Sequence, residues 1–247
     1  MPTPLPPAER RGYGLTDLSN ATVAYFLVRA DLEATADLLA RLTDGEHRPL
    51  VIGESAADVP DDRQAFVVYQ VRGQAHTLFA GSYANYETLP ARLSANGGPD
   101  VLAFVNEDVS GWSDLSLHRN GEQIEQLAWG LDYFEEMEEA AGLLGEAGEP
   151  APAPDAHPVP DGWDHAVLVR DPNEPDMADA YQFRSSVRTI TDADLATGEA
   201  FVDATLRFHD TWLPDLDEML WLEHPRNLLH SRLPAEAFVG ACLVLPG

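Results

Sequence analysis

The segment DLSLHRNGEQIEQLAW, Asp114–Trp129, sets two apolar-polar runs on either side of an Asn-Gly pair. Asn120 and Gly121 both accept the positive φ that a type I′ turn needs, and Leu115, Leu117, Ile124 and Leu127 flank them as strand residues. The spacing predicts a two-residue hairpin in which Ser116–His118 pairs with Glu122–Glu125. Such a hairpin belongs to an antiparallel sheet.

Upstream, strand candidates alternate with helix candidates. Ala21–Val28 is a continuous apolar run of strand length. Asp31 then stands as an N-cap, and Leu32, Ala36, Leu39 and Thr43 recur at helical spacing as far as Asp44–Gly45. Asp37 and Arg41 form an i,i+4 pair on the outer face of that helix. After a short apolar stretch at Leu50–Ile52, Ala65–Val71 and Ala75–Gly81 read as two strands joined tightly by Arg72–Gly73–Gln74. Tyr86–Ala95 reads as a short helix interrupted by Pro90 and closed by Asn96–Gly97–Gly98, with Val101–Val105 a further strand.

Downstream, Gly130–Leu144 predicts an acidic helix. Leu131, Phe134, Met137, Ala141 and Leu144 lie near one face, and Glu135, Glu136, Glu138 and Glu139 crowd the other. The stretch from Glu146 to Gly162, EAGEPAPAPDAHPVPDG, is a proline-rich connector in which neither helix nor interior strand runs. Beyond it come strands at Asp164–Val169 and Ala180–Ile190. Thr191–Asp194 then reads as a capping box for a helix over Asp192–Phe208, followed by a short helix at Leu216–Leu222. Ala237–Leu245 is apolar throughout, as in a strand covered on both faces. The expected fold class is α+β, with mixed α/β as its alternative: a largely antiparallel sheet with packed helices in two lobes. The divisions are a proline-rich segment at 1–14, a domain at 15–145, the linker at 146–162 and a smaller lobe at 163–247. The last strand pairs into either lobe, and pairing into the first would make one composite domain.

All 15 cationic residues are arginine, against 42 acids, for a net charge of −27. The absence of lysine excludes a lysine Schiff base, a Walker-type phosphate loop and a lysine general base. The acidic excess argues against a nucleic-acid backbone or an anionic membrane as partner. The acids are distributed on both sides of the linker, which reads as a surface property of the whole chain. Solubility, docking on a basic protein and cation binding by carboxylates are the three roles such a surface serves. Met1–Arg11 lacks the apolar core of a secretory signal, and the single cysteine, Cys242, lies in an apolar run where a thiol is inert. Residence in a bacterial cytoplasm is the expectation, and no cofactor is expected, since there is no CxxC pair, Rossmann fingerprint or phosphate loop.

Candidate chemistry is sparse. Asp171–Asp176, DPNEPD, begins like a calcium loop, but Asp176 and Gln182 occupy the places of its glycine and closing glutamate. Asp192, Glu199, Asp203 and Asp210 share one helix face, as a solvated face also requires. Glu223, His224 and His230 do not match a zinc helix, and Pro225 breaks the helix such a site needs. His209 begins half of a two-histidine pattern, but His76 and His118 have the wrong neighbours for a second copy, and Ser110–Gly111 is no nucleophile elbow. Arginine is the chain's permanent anion ligand, which singles out Arg170, Arg184 and Arg188. Among the aromatics, Trp112 and Trp129 stand near element ends, where partner contacts form. The function expected is a non-enzymatic acidic module that blocks or regulates a basic protein, of immunity, inhibitor or nucleic-acid-mimic type. Its binding residues are Glu135, Glu136, Glu138, Glu139, Trp112, Trp129, Arg184 and Arg188. The alternative is a carboxylate-based metal-binding protein or hydrolase acting through the second lobe.

Overall fold

The computed structural model describes residues 23–50, 65–107, 112–130, 162–170, 178–187, 189 and 238–247. Along the chain these form β1 (Val23–Val28), α1 (Leu32–Leu42), β2 (Glu46–Leu50), β3 (Phe66–Val71), β4 (Thr77–Ser82) and α2 (Tyr83–Ser94). They continue as β5 (Val101–Glu107), β6 (Trp112–Arg119), β7 (Glu122–Gly130), β8 (His165–Arg170), β9 (Ala178–Ser185) and β10 (Phe238–Leu245).

Asn120 and Gly121 adopt φ of 54° and 85°, as a type I′ turn between β6 and β7 requires. The hairpin departs from the expected register in one respect. Arg119 faces Glu122 and His118 faces Gln123, but Leu117 then faces Glu125, so Ile124 is an extra residue in β7. This β-bulge brings Leu127 opposite Leu115 and seats both leucines in the core. Without it Leu127 would have faced Asp114. The turn is pinned at two points. Gly121 N donates to Ser94 Oγ at the end of α2 (3.1 Å), and Arg119 clasps Asp100 with bonds of 2.9 and 2.7 Å.

The ten described strands belong to one sheet, ordered β2-β10-β3-β4-β1-β5-β6-β7-β9-β8, with every neighbouring pair antiparallel. Strands from both sides of the proline-rich stretch are joined in it. β9 pairs with β7, and β10 lies between β2 and β3. Among the described residues, helix is confined to α1 and α2, so the architecture is mostly β, with less helix than an even α+β mixture. Gly130, expected to open a helix, instead ends β7, and the rest of the helix expected over Gly130–Leu144 lies outside the described residues, as do those expected over Asp192–Phe208 and Leu216–Leu222.

Both helices pack on one face of the sheet. Ala36, Leu39 and Ala40 of α1, with Leu89 and Leu93 of α2, meet Phe26, Val28, Phe66, Val68, Phe79, Val101, Ala103, Val105, Cys242 and Val244. Phe26 stacks on Phe79 with centroids 4.8 Å apart, and Phe66 meets the same ring edge-on at 5.5 Å. On the opposite face Leu27, Tyr69, Leu78, Leu102, Phe104, Leu115, Leu127 and Phe183 are also buried. Cys242 is a free, buried thiol whose pKa is pushed up, first by burial and then by Glu33 and Asp37.

The capping chemistry explains where the helices begin. Asp31 accepts from Ala34 N at 2.8 Å, as its position before α1 predicts. Asp37, expected beside Arg41, places its carboxylate 2.8 Å from His47 Nε2 on β2. α2 starts three residues earlier than its apolar spacing predicts, because Ser82 and Asn85 form a reciprocal capping box. Pro90 sits inside this helix rather than ending it, and the burial of Leu89 and Leu93 on either side holds it there. The strand after α1 is polar, EHRPL, where the sequence predicts only an apolar stretch at Leu50–Ile52. It is an edge strand, where proline and charge are tolerated and discourage pairing with other chains.

Candidate functional site

The polar residues that alternate with leucines on β6 are Asp114, Ser116 and His118. They sit opposite Val105, Ala103 and Val101 of β5, on the face that carries the helices. All three are buried, Asp114 and Ser116 to 1% exposure. The reason is α2, which projects Tyr86 over the strand. Tyr86 Oη donates to Asp114 Oδ1 and lies 3.1 Å from Ser116 Oγ, and Ser116 Oγ lies 3.1 Å from His118 Nε2.

The bulge in β7 completes this seam. By adding Ile124 it turns both Gln123 and Gln126, three residues apart, toward the helix-bearing face. Gln126 donates to Asp114 Oδ2. Arg184 on β9 lies opposite Gln126 and donates to Gln123 Oε1, while its guanidinium covers the Trp163 ring at 5.4 Å. On the other face the same bulge leaves Glu125 buried, where Ser185 Oγ donates to it at 2.9 Å. Asp164 caps the adjoining β9 end by accepting from Ser185 N at 2.7 Å.

Burial shapes the two ionisable groups in opposite ways. It raises the Asp114 carboxyl to about 6, against the opposing pull of the Tyr86 and Gln126 hydrogen bonds and of Arg184. It lowers His118 to about 4, with Arg184 acting in the same direction. At neutral pH the seam therefore holds a carboxylate and a neutral imidazole.

Comparison with known proteins finds no family model, curated protein or solved structure that matches this chain. What the seam can do is read from its geometry. Ser116 and His118 are within hydrogen-bond distance, but Ser116 lies beneath α2, so a substrate reaches its oxygen only by displacing the helix. His118 Nδ1 is buried without a hydrogen-bond partner, so among the described residues no carboxylate orients the ring as a catalytic triad requires. Among the described residues no group of three or more His, Cys, Asp or Glu side chains is placed to hold a metal. The seam's evident work is to seat α2 on β6 and β7.

The residues singled out by sequence are distributed as follows. Glu135, Glu136, Glu138, Glu139 and Arg188 lie outside the described residues, as do Asp171–Asp176, the carboxylates from Asp192 to Asp210, Glu223, His224 and His230. Trp112 pairs with Glu107, and Trp129 with Ser113 and Tyr181, which brings the two tryptophan positions to adjacent rungs of neighbouring strands. Arg170 ends β8 opposite Ala178, six residues along β9 from Arg184, or about 20 Å. Those two arginines are not brought together. Asp114, Ser116 and His118 carry no sequence signal of a buried seam, because polar residues at every second strand position ordinarily mark a solvent face. The overlooked signal is Tyr86, a phenol on the buried side of a helix that needs polar partners.

Proposed function

We propose that this chain is an acidic, non-enzymatic protein-binding module that blocks or regulates a basic partner, in the manner of an immunity or inhibitor protein or a nucleic-acid mimic. The observation that carries the reading is 42 acids against 15 arginines, with no lysine. Several arginines are already occupied by the fold. Arg119 holds Asp100, Arg92 donates to the Leu42 carbonyl, and Arg184 donates to Gln123. Glu33, Asp44, Glu46, Glu87 and Glu122 meanwhile face solvent. A basic protein is attracted to such a surface over about 8 Å at physiological salt, so opposite charge speeds encounter. Trp112 and Trp129 are the proposed aromatic anchors, and Glu135, Glu136, Glu138 and Glu139 the proposed acidic row. The same proposal places the chain in a bacterial cytoplasm with no nucleic-acid or membrane partner, the expected units at 15–145 and 163–247 sharing one sheet.

Immobilised full-length chain is expected to retain basic proteins from a lysate of its source cells at low salt. For a retained partner, affinity should fall steeply as salt rises. Combining Glu135→Gln, Glu136→Gln, Glu138→Gln and Glu139→Gln should weaken binding by about tenfold or more, which is about 1.4 kcal/mol, and flatten the salt slope. An affinity that does not change between low and high salt would sink the proposal.

A further inference from the structure

Tyr86 owns one hydroxyl hydrogen and has two oxygen neighbours in the seam, Asp114 Oδ1 and Ser116 Oγ. If that hydrogen goes to the Asp114 carboxylate, Ser116 must donate to Tyr86 Oη for the second contact to be a hydrogen bond. Ser116 Oγ then has a lone pair left for His118, which must offer an N–H from Nε2. Nδ1 is left as a bare lone pair, in agreement with its burial without a hydrogen-bond partner.

When Asp114 gains a proton, every link reverses. The acid donates to Tyr86 Oη, Tyr86 turns its hydrogen to Ser116, and Ser116 turns its own to His118 Nε2. The imidazole takes up a proton at Nδ1 and releases the one on Nε2, so its charge is unchanged and the seam gains one proton in total. We propose that Tyr86 and Ser116 form a two-hydroxyl relay that makes the tautomer of His118 follow the ionisation of Asp114. The relay is a pH-sensitive device in the seat of α2. Its outer link changes from a charge-assisted bond, donated by the helix to a carboxylate, to a neutral bond donated by the strand to the helix.

Among the described residues, β5 presents Val101, Ala103 and Val105 to the seam, and β7 presents Gln123, Gln126 and Ala128. β9 presents Gln182 and Arg184, and α2 presents Tyr86, with Glu87 on its exposed side. Arg184 brings a guanidinium to the edge of the seam, where it donates to Gln123 Oε1.

Nitrogen-15 spectra of the His118 ring in the full chain, between about pH 5 and about pH 8, read the tautomer directly. Carbon-13 spectra of the Asp114 carboxyl follow its ionisation in the same samples. The expected result is an Nε2–H ring above the Asp114 midpoint, an Nδ1–H ring below it, and coincident midpoints. Ser116→Ala should abolish the tautomer change while Asp114 still titrates, and Tyr86→Phe should do the same by removing the other link. A His118 tautomer that stays constant in the parent chain while Asp114 titrates would overturn the relay. The proton would then be met by a turned Gln126 amide, and this measurement needs no variant to fold.

Discussion

Asp114 and His118 lie two residues apart on β6, and the burial they share displaces their pKa values in opposite directions. Asp114 titrates at about 6 in the fold against an ordinary 3.8, so between those values the folded chain holds more protons than the unfolded one. Its stability contribution is therefore complete below about pH 4 and is lost as pH rises through about 6. His118 titrates at about 4 against an ordinary 6.5, so its contribution has the reverse slope, rising from about pH 4 to about 6.5. Each amounts to about 3 kcal/mol at most, and in the parent chain they largely cancel. Asp114→Asn should make the chain gain stability, relative to the parent, as pH rises from about 4 to about 6. His118→Gln should make it lose stability over the same range. Urea titrations at several pH values check both, and equal slopes in parent and variants would contradict the assignment. Neither residue's role was legible in the sequence. Period-two alternation reports that Asp114 and His118 share a face, but not that Tyr86 of a helix lies over that face. Cys242 was legible, because its apolar neighbours on both sides fix its burial whatever the topology. Its thiol should react slowly with a disulfide reagent under native conditions and rapidly once the chain is unfolded.

Secondary-structure elements were readable to the extent that their ends carry local chemistry. The β6–β7 turn was legible because Asn-Gly leaves few alternatives, and α1 because Asp31 marks its start. The start of α2 was misplaced, since an apolar count beginning at Tyr86 overlooks the polar pair Ser82 and Asn85 three residues upstream. Ser82→Ala should lower stability by about 1 kcal/mol, measured by denaturant midpoint at unchanged slope. Gly121→Ala should cost at least as much, because its φ of 85° is strained for any side chain. The bulge at Ile124 was not legible for a different reason. Nothing local requires it, and it arises because Leu127 gains a core position opposite Leu115 when one residue is passed over. β2 was missed because its sequence suits an edge, and edge status is a property of the whole sheet.

At the scale of the molecule, the antiparallel character of the sheet could be read from one hairpin, whereas its strand order could not. Sequence-neighbour rules place β5, β6 and β7 side by side, but nothing in Ala237–Leu245 says which strands will receive it. The lysine-free composition makes a prediction at this scale: amine-reactive labels should attach at the N-terminal amine alone, and mass spectrometry of the intact chain should show a single addition. The position of β10 between β2 and β3 has a further consequence, for the order in which the protein can be completed. Its partners are separated from it by most of the chain, so closing that gap costs loop entropy before any ladder bond forms. During synthesis β2 and β3 must wait as open edges until residues 238–245 leave the ribosome, and a chaperone or protease meets them first. A nascent chain halted before Phe238 should therefore be cut readily at low protease concentration, and one tethered to the ribosome by an added linker that lets residues 238–245 emerge should resist.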